Sequence, residues 1–362
     1  MPRQRTSFAA LLALAIFLPF PTLAQQPEIT PALAKVIEAA KKEGKLLIRS
    51  TPASTLAGPE AQAAAQAGIK ETYGVDIPIE WSPGMAYGPL AAQLFQEMQA
   101  GTPASTDVLA LTPVQIVPYL EKGLFRTIDW RGTAPSLKPE MVEADGKALR
   151  VAMSLPNILY NVKEAPWVAD IKTSADLLKP AYKHKFVTTP FLGGFDVLLA
   201  DDVWGLEKTT AYIKQFAGQI GGFASCGSVD RVASGEIAAI ALDCSGGWPN
   251  NIAYRGKNIV AAQLVDDIAE LRYSYLTIPT HSAHPNAAIL YSIYMASPAG
   301  QKKVMADYNG FDLGDYPESY ARKFVADARA KGTKFIDVTV DWWKTHPNVD
   351  KQVVDLTKIV RP

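Results

Sequence analysis

Both cysteines of the chain, Cys226 and Cys244, stand within one short unit, Ser225 to Trp248, which reads SCGSVDRVASGEIAAIALDCSGGW. Two thiols can close a disulfide, ligate a metal or run redox chemistry. No C-x-x-C spacing is present, which removes the common redox motif, and no Cys/His cluster of zinc spacing accompanies them. Gly227, Gly246, Gly247, Ser228 and Arg231 surround the pair. Small residues, free amide N–H groups at a helix start and one guanidinium suit a small anion.

The elements that must position these groups follow from the same stretch. Ser228 is placed to cap a short helix over Val229 to Ser234, and Gly235 ends it. The apolar run Ile237 to Leu242 has the length and bulk of a buried strand. A helix followed by an antiparallel strand returns the chain to its start, bringing Cys226 and Cys244 to one sheet edge. In an oxidising compartment that arrangement favours a disulfide, two buried free thiols being the alternative.

The N-terminus points to such a compartment. Arg3 and Arg5, the apolar run Phe8 to Leu18 and the small-residue site Thr22-Leu23-Ala24 read as a signal peptide over 1–24, leaving a mature chain that begins near Gln25. The run falls short of the roughly 20 residues that a membrane span needs. The expected location is the periplasm.

At 362 residues two domains are expected. Equal acid and base counts, 36 of each, argue against nucleic acid as a partner. The chain carries no P-loop G-x-x-x-x-G-K-[ST], no G-x-S-x-G elbow and no H-E-x-x-H pair. A periplasmic enzyme on a two-lobed scaffold, with Asp196, Glu236 or Asp243 as acid or base, is the rival from another class.

Along the chain, Pro31 to Lys42 has a helical period. Strand Lys45 to Ser50, a loop in which Ser54 or Thr55 caps an alanine-rich helix ending before Gly74, and strand Val75 to Trp81 form a parallel-sheet unit. The loop Ser82 to Pro89 carries Tyr87 into a helix over Leu90 to Gln99. Strand Asp107 to Leu111 is followed by Thr112-Pro113, a helix start running through Leu120. Ala148 to Asn161 reads as one long extended segment passing between lobes. Trp167 to Leu178 contains the helix start TSADLL. Strand Phe186 to Thr189 leads into Phe191, Gly193 and Gly194, where backbone can approach a ligand, with a plain strand-to-helix turn as the alternative. Loops at the carboxyl ends of parallel strands are where open α/β sheets bind ligands. Phe191, Trp248 and Tyr87 could wall a solute there, and Arg231 could neutralise it.

The ordered segments AAKKEGKLLIRS, KETYGVDIPIEW, STDVLALT, YLEKGLFRTIDW, YNVKEAP, TSADLLKPAYKHKFVTTP, VDRVASGEIAA and HPNAAILYSIYMASPAGQKK make the chain similar to periplasmic solute-binding proteins of ABC importers. The branch it most resembles includes binders of ferric iron and of small phosphorylated or phosphonate solutes. The resemblance implies an α/β, two-lobed periplasmic-binding-protein fold of type II, each lobe a sheet flanked by helices and joined by extended hinge strands. Lobe one would hold 25–155 and lobe two 156–271. Residues 272–362, the return strand and C-terminal helices, would complete lobe one. It also implies a monomer that closes on a solute and docks on a membrane permease with a separate ATPase subunit. Iron-binding relatives use two adjacent tyrosines; here the nearest pair is Tyr273 and Tyr275, which share one face of a strand. That departure favours an organic anion, a carboxylate, phosphonate or phosphorylated compound, held at helix starts after Ser54, Thr112, Gly194 and Ser228. Ferric iron is the alternative. No metal or cofactor is assigned.

Overall fold

The structure, a computed structural model, describes residues 28–361 apart from 52–55, 57 and 245. The signal sequence expected over 1–24 and the caps expected at Ser54 and Thr55 lie outside the described residues.

The chain opens with α1 (Pro31–Glu43), capped by the Thr30 hydroxyl, which accepts from the Leu33 N–H at 3.1 Å. Then come β1 (Leu46–Ser50), α2 (Gly58–Tyr73), β2 (Ile79–Pro83), α3 (Tyr87–Gln99), β3 (Leu109–Leu111) and the short α4 (Pro113–Ile116) and α5 (Trp130–Thr133). Strands β4 (Val142–Glu143) and β5 (Ala148–Ser154) close this part. β1 pairs with β2 in parallel, and Ile48 bridges Val108 in the same sense, so β1 lies between two parallel neighbours.

The next segment builds a separate sheet. β6 (Asn157–Asn161), β7 (Val187–Thr188), α6 (Gly205–Ala217), α7 (Val229–Ala233), β8 (Ala239–Asp243) and β9 (Val260–Gln263) give the strand order β7-β8-β6-β9. The chain then returns through β10 (Glu270–Thr277), which pairs antiparallel with β3 and β5. It continues through α8 (Pro285–Ala296), α9 (Pro298–Gly300), a π-helical stretch over Gln301–Asn309, α10 (Tyr320–Ala330), β11 (Ile336–Val338), α11 (Val340–Thr345) and α12 (Val349–Val360). α8 is apolar around its whole circumference, as a fully enclosed helix must be, and sits at the centre of the first lobe's core.

The stretch expected to run extended between lobes does so as two strands, β5 in one sheet and β6 in the other, broken at Leu155-Pro156. Several local expectations shift. β2 begins at Ile79, and α3 starts at Tyr87, so that residue opens a helix instead of sitting in a loop. TSADLL yields only a tight 3-10 turn over Asp176–Leu178. α6 was not expected, although Thr209, Tyr212, Ile213 and Phe216 give it a buried face.

The largest departure is at the C-terminus. Helix α12, expected on the first lobe, packs on α6, and Val349, Leu356 and Val360 join the second lobe's core with Phe216 and Phe195. Trp343 is buried in the same cluster. An amphipathic helix shows in sequence that it needs a partner, but not which one. Leu356 is 1% exposed, so Leu356→Ala should cost about 2–5 kcal/mol in denaturant unfolding. A change below about 0.5 kcal/mol would mean the helix is not packed there.

Candidate functional site

The unit that holds the cysteines folds as a double clasp. Cys226 and Cys244 form a disulfide with Cα atoms 5.5 Å apart, within the usual range. Beside it the fully buried Asp243 accepts from the Gly227 N–H at 3.0 Å and from the Trp248 indole N–H at 3.1 Å. A side chain at Gly227, whose φ is 77°, would meet the Trp248 ring 3.0 Å from its Cβ. Backbone conformation and ring contact together therefore require glycine. Ser228 stands at the helix start as expected, but its hydroxyl donates to the Ser225 carbonyl and does not cap.

Beyond the clasp the chain reaches the first lobe. Asn251 donates to the Tyr308 carbonyl at 2.8 Å, the Ile252 N–H to the Asp307 carbonyl at 2.8 Å, and Arg255 pairs with Asp307 at 2.6 Å. The Trp248 loop is thus fixed to both lobes.

The loop after β7 lies against the same clasp. A Cβ on Gly193 would stand 3.2 Å from the Cys244 sulfur, and one on Gly194 would stand 2.9 Å from Pro156 at the crossing between sheets. Gly194 is therefore dictated by close approach to the crossing. The Gly193 N–H is already used, donating to the Thr189 hydroxyl at 3.1 Å. Leu192 and Leu242 hold left-handed backbone at φ 54° and 53°, a strained conformation of the kind found at functional sites. Phe191, at the loop tip, is 51% exposed.

On the first lobe the corresponding loop follows β2 and carries Met85, 41% exposed. It leads to Tyr87, where α3 starts without a side-chain cap. Thr112 bonds with Gln115, its hydroxyl donating to the amide oxygen at 2.6 Å and its N–H at 3.1 Å, and so serves the turn itself. The adjacent residue that sequence reasoning passed over is Arg49. It is half-buried one position before the end of β1, and its guanidinium has no hydrogen bond or ion pair among the described residues. A lone cation at the carboxyl end of a strand between two parallel neighbours was visible in KLLIRS, but its lack of a partner was not.

Three other sequence candidates lie elsewhere. Arg231 donates to Glu236 at 2.8 Å, both side chains being exposed. Tyr275 is fully buried, and its hydroxyl donates to Glu143 at 2.7 Å. Tyr273 lies beneath the Arg150 guanidinium, 3.6 Å from its ring centre. Burial raises both phenols well above the ordinary tyrosine range. Of the four helix starts expected to grip an anion, α2, which follows 52–55, has 16 residues, whereas the other three are short, α4 with four, the turn after Gly194 with four and α7 with five. Little dipole can accumulate over so few peptides.

At the crossing into β10, Arg272 holds two carboxylates. It pairs with Asp196, which follows the Phe191–Phe195 loop, and with Glu270 at 2.8 Å. Glu270 is fully buried, and its second oxygen has no partner among the described residues. Burial pushes its carboxyl up to about 7, with Arg272 opposing and Asp196 adding to the rise.

Two sheets with separate cores, joined by extended crossings and facing each other through loops at strand ends, define a two-lobed binding protein. Iron-bound HitA of Pseudomonas aeruginosa has a similar fold, with TM-score 0.65 and 16% identity over 86% of this chain and 99% of that one. AfuA of Actinobacillus pleuropneumoniae, solved with fructose-6-phosphate, gives 0.64 and 15% over 87% and 99%. An ABC transporter substrate-binding protein of Agrobacterium tumefaciens gives 0.68 and 14% over 90% and 96%. No curated protein matches significantly by sequence. Residues 61–326 match the family model described as bacterial extracellular solute-binding protein, and the chain belongs to that family.

The raised Glu270 carboxyl has a measurable consequence. The folded state binds its proton more tightly than the unfolded chain, whose ordinary value is 4.5. Its contribution to stability is therefore full below about pH 4.5 and is lost as pH rises through about 7. Relative to Glu270→Gln, the wild type should lose on the order of 2–3 kcal/mol between pH 4.5 and pH 8 in urea unfolding. Parallel pH profiles would refute this. Reduction of the disulfide, which closes a sequence separation of 18, should cost about 3 kcal/mol in the same assay.

Proposed function

We propose that the chain captures a small anionic organic solute, a carboxylate, phosphonate or phosphorylated compound, in the crevice between its lobes. As a family member it is the substrate-binding component of an ABC transporter and works outside the cytoplasm. No helix among the described residues is long and apolar enough to cross a membrane. The filled form would dock on a membrane permease whose ATPase is a separate subunit. The crevice has apolar surface to seat an organic body, with Phe191 and Met85 exposed on strand-end loops of opposite lobes.

The observation that carries the anionic reading is Arg49. A half-buried guanidinium without a partner among the described residues, at the carboxyl end of β1, is placed to pair with an acid group brought by the solute. Ferric iron is less well supported. Tyr273 and Tyr275 are engaged by Arg150 and Glu143, and no group of three His, Cys, Asp or Glu among the described residues could hold a metal.

A thermal-shift screen of the mature chain against dicarboxylates, phosphonates, sugar phosphates and ferric citrate tests the proposal. An anion at 100 times its Kd should stabilise the protein by about 2.7 kcal/mol. Arg49→Ala should weaken that anion at least tenfold, about 1.4 kcal/mol. Stabilisation by iron alone, with a visible absorption band, would overturn the reading. So would an anion whose affinity ignores Arg49.

A further inference from the structure

The first lobe contains a cleft of about 550 Å³ that the solute crevice does not account for. Its walls come from 138–153, 271–273 and 313–329, and no residue of the second sheet, 157–263, lines it. Of the residues expected at the crevice only Tyr273 borders it.

We propose that this cleft is a second ligand site, taking a small amphipathic anion: an acidic group on an aliphatic or aromatic body. The apolar part of its lining is Met141, Met153, Leu271, Leu313 and Val325. Helix α10 supplies Arg322, Ala326 and Arg329, and spacings of four and three put them on one face of the helix. Neither arginine has an ion pair or side-chain hydrogen bond among the described residues.

The remaining charges do not cancel them. Lys138 is paired with Asp315, and Arg150 with Glu143. Among the described residues Glu140 is the one acid of the lining without an ion pair, set against Arg322 and against Arg329, whose guanidinium lies 5.7 Å from the Phe335 ring centre. The Arg150 guanidinium that borders the cleft is fixed by Glu143 and stacked on Tyr273, so that wall is already held in place. An entering carboxylate or sulfonate would pair with Arg322 and Arg329, which are exposed on the wall of the cleft. The volume lies in the range of small-molecule sites.

Fluorescence titration of the full chain with anilinonaphthalene sulfonate, an amphipathic anion, tests the site. Saturable binding to a single site is expected, displaced by decanoate and not by decanol. Arg322→Glu with Arg329→Glu should weaken it at least tenfold. Ala326→Trp, at an exposed helix position, should do so by narrowing the cleft, and Arg49→Ala should leave it unchanged. Non-saturable binding, or affinity unmoved by both cleft variants, would overturn the site. Loss in Arg49→Ala alone would overturn it too, by moving the probe to the crevice.

Discussion

A guanidinium withdrawn from water must be met by carboxylates, and Arg272 meets two, Asp196 and Glu270. The three groups join the segment behind the Phe191 loop to the first strand of the return path. Burial raises the Glu270 carboxyl, Arg272 opposes the rise and the second carboxylate, Asp196, adds to it, so Glu270 tends toward its protonated form. Position matters as much as charge here. Arg272 also lies opposite Ser154, at the end of β5, where the chain leaves the first sheet. Gly194 approaches Pro156 just beyond that point. Movement between the lobes would therefore be felt by the loop that presents Phe191.

The clasp at Asp243 acts on the other side of that loop. A disulfide alone ties two points, but Asp243 adds the Gly227 amide and the Trp248 indole to the same knot. Because the Trp248 segment is also bonded to 307–308, the clasp links the second sheet to the π-helical stretch of the first lobe. Rigidity in these supports is what lets a few crevice contacts discriminate between solutes, since loose side chains lose entropy on binding.

Much of this architecture was legible in the sequence. The apolar run of β8, the glycine that ends α7 and the spacing of the two cysteines are local signals, and local physics fixes them. The extended Ala148–Asn161 stretch was readable for the same reason. What escaped was set by partners distant in sequence. Tyr275 shows the period of a strand, but its partner Glu143 is 132 positions away. Arg231 pairs with Glu236 five residues on, a local partner that its charge alone did not reveal. Arg49 escaped for the opposite reason, since the lack of a partner among the described residues becomes visible only in three dimensions. The helix starts were located correctly at Thr112 and Ser228, but their brevity was not foreseen, and length decides how much dipole they carry.

The seating of α12 on α6 has a consequence for how this molecule comes into being. The chain passes from one sheet to the other at Leu155-Pro156, returns before β10 and reaches the second core again with α11 and α12. Neither half is a contiguous piece that could be cut out and fold alone. Contacts that join residues so far apart are reached late, because loop closure costs entropy before any contact repays it. Refolding from denaturant should thus be slow for a chain of this size, with unfinished second-core intermediates waiting for their last helix.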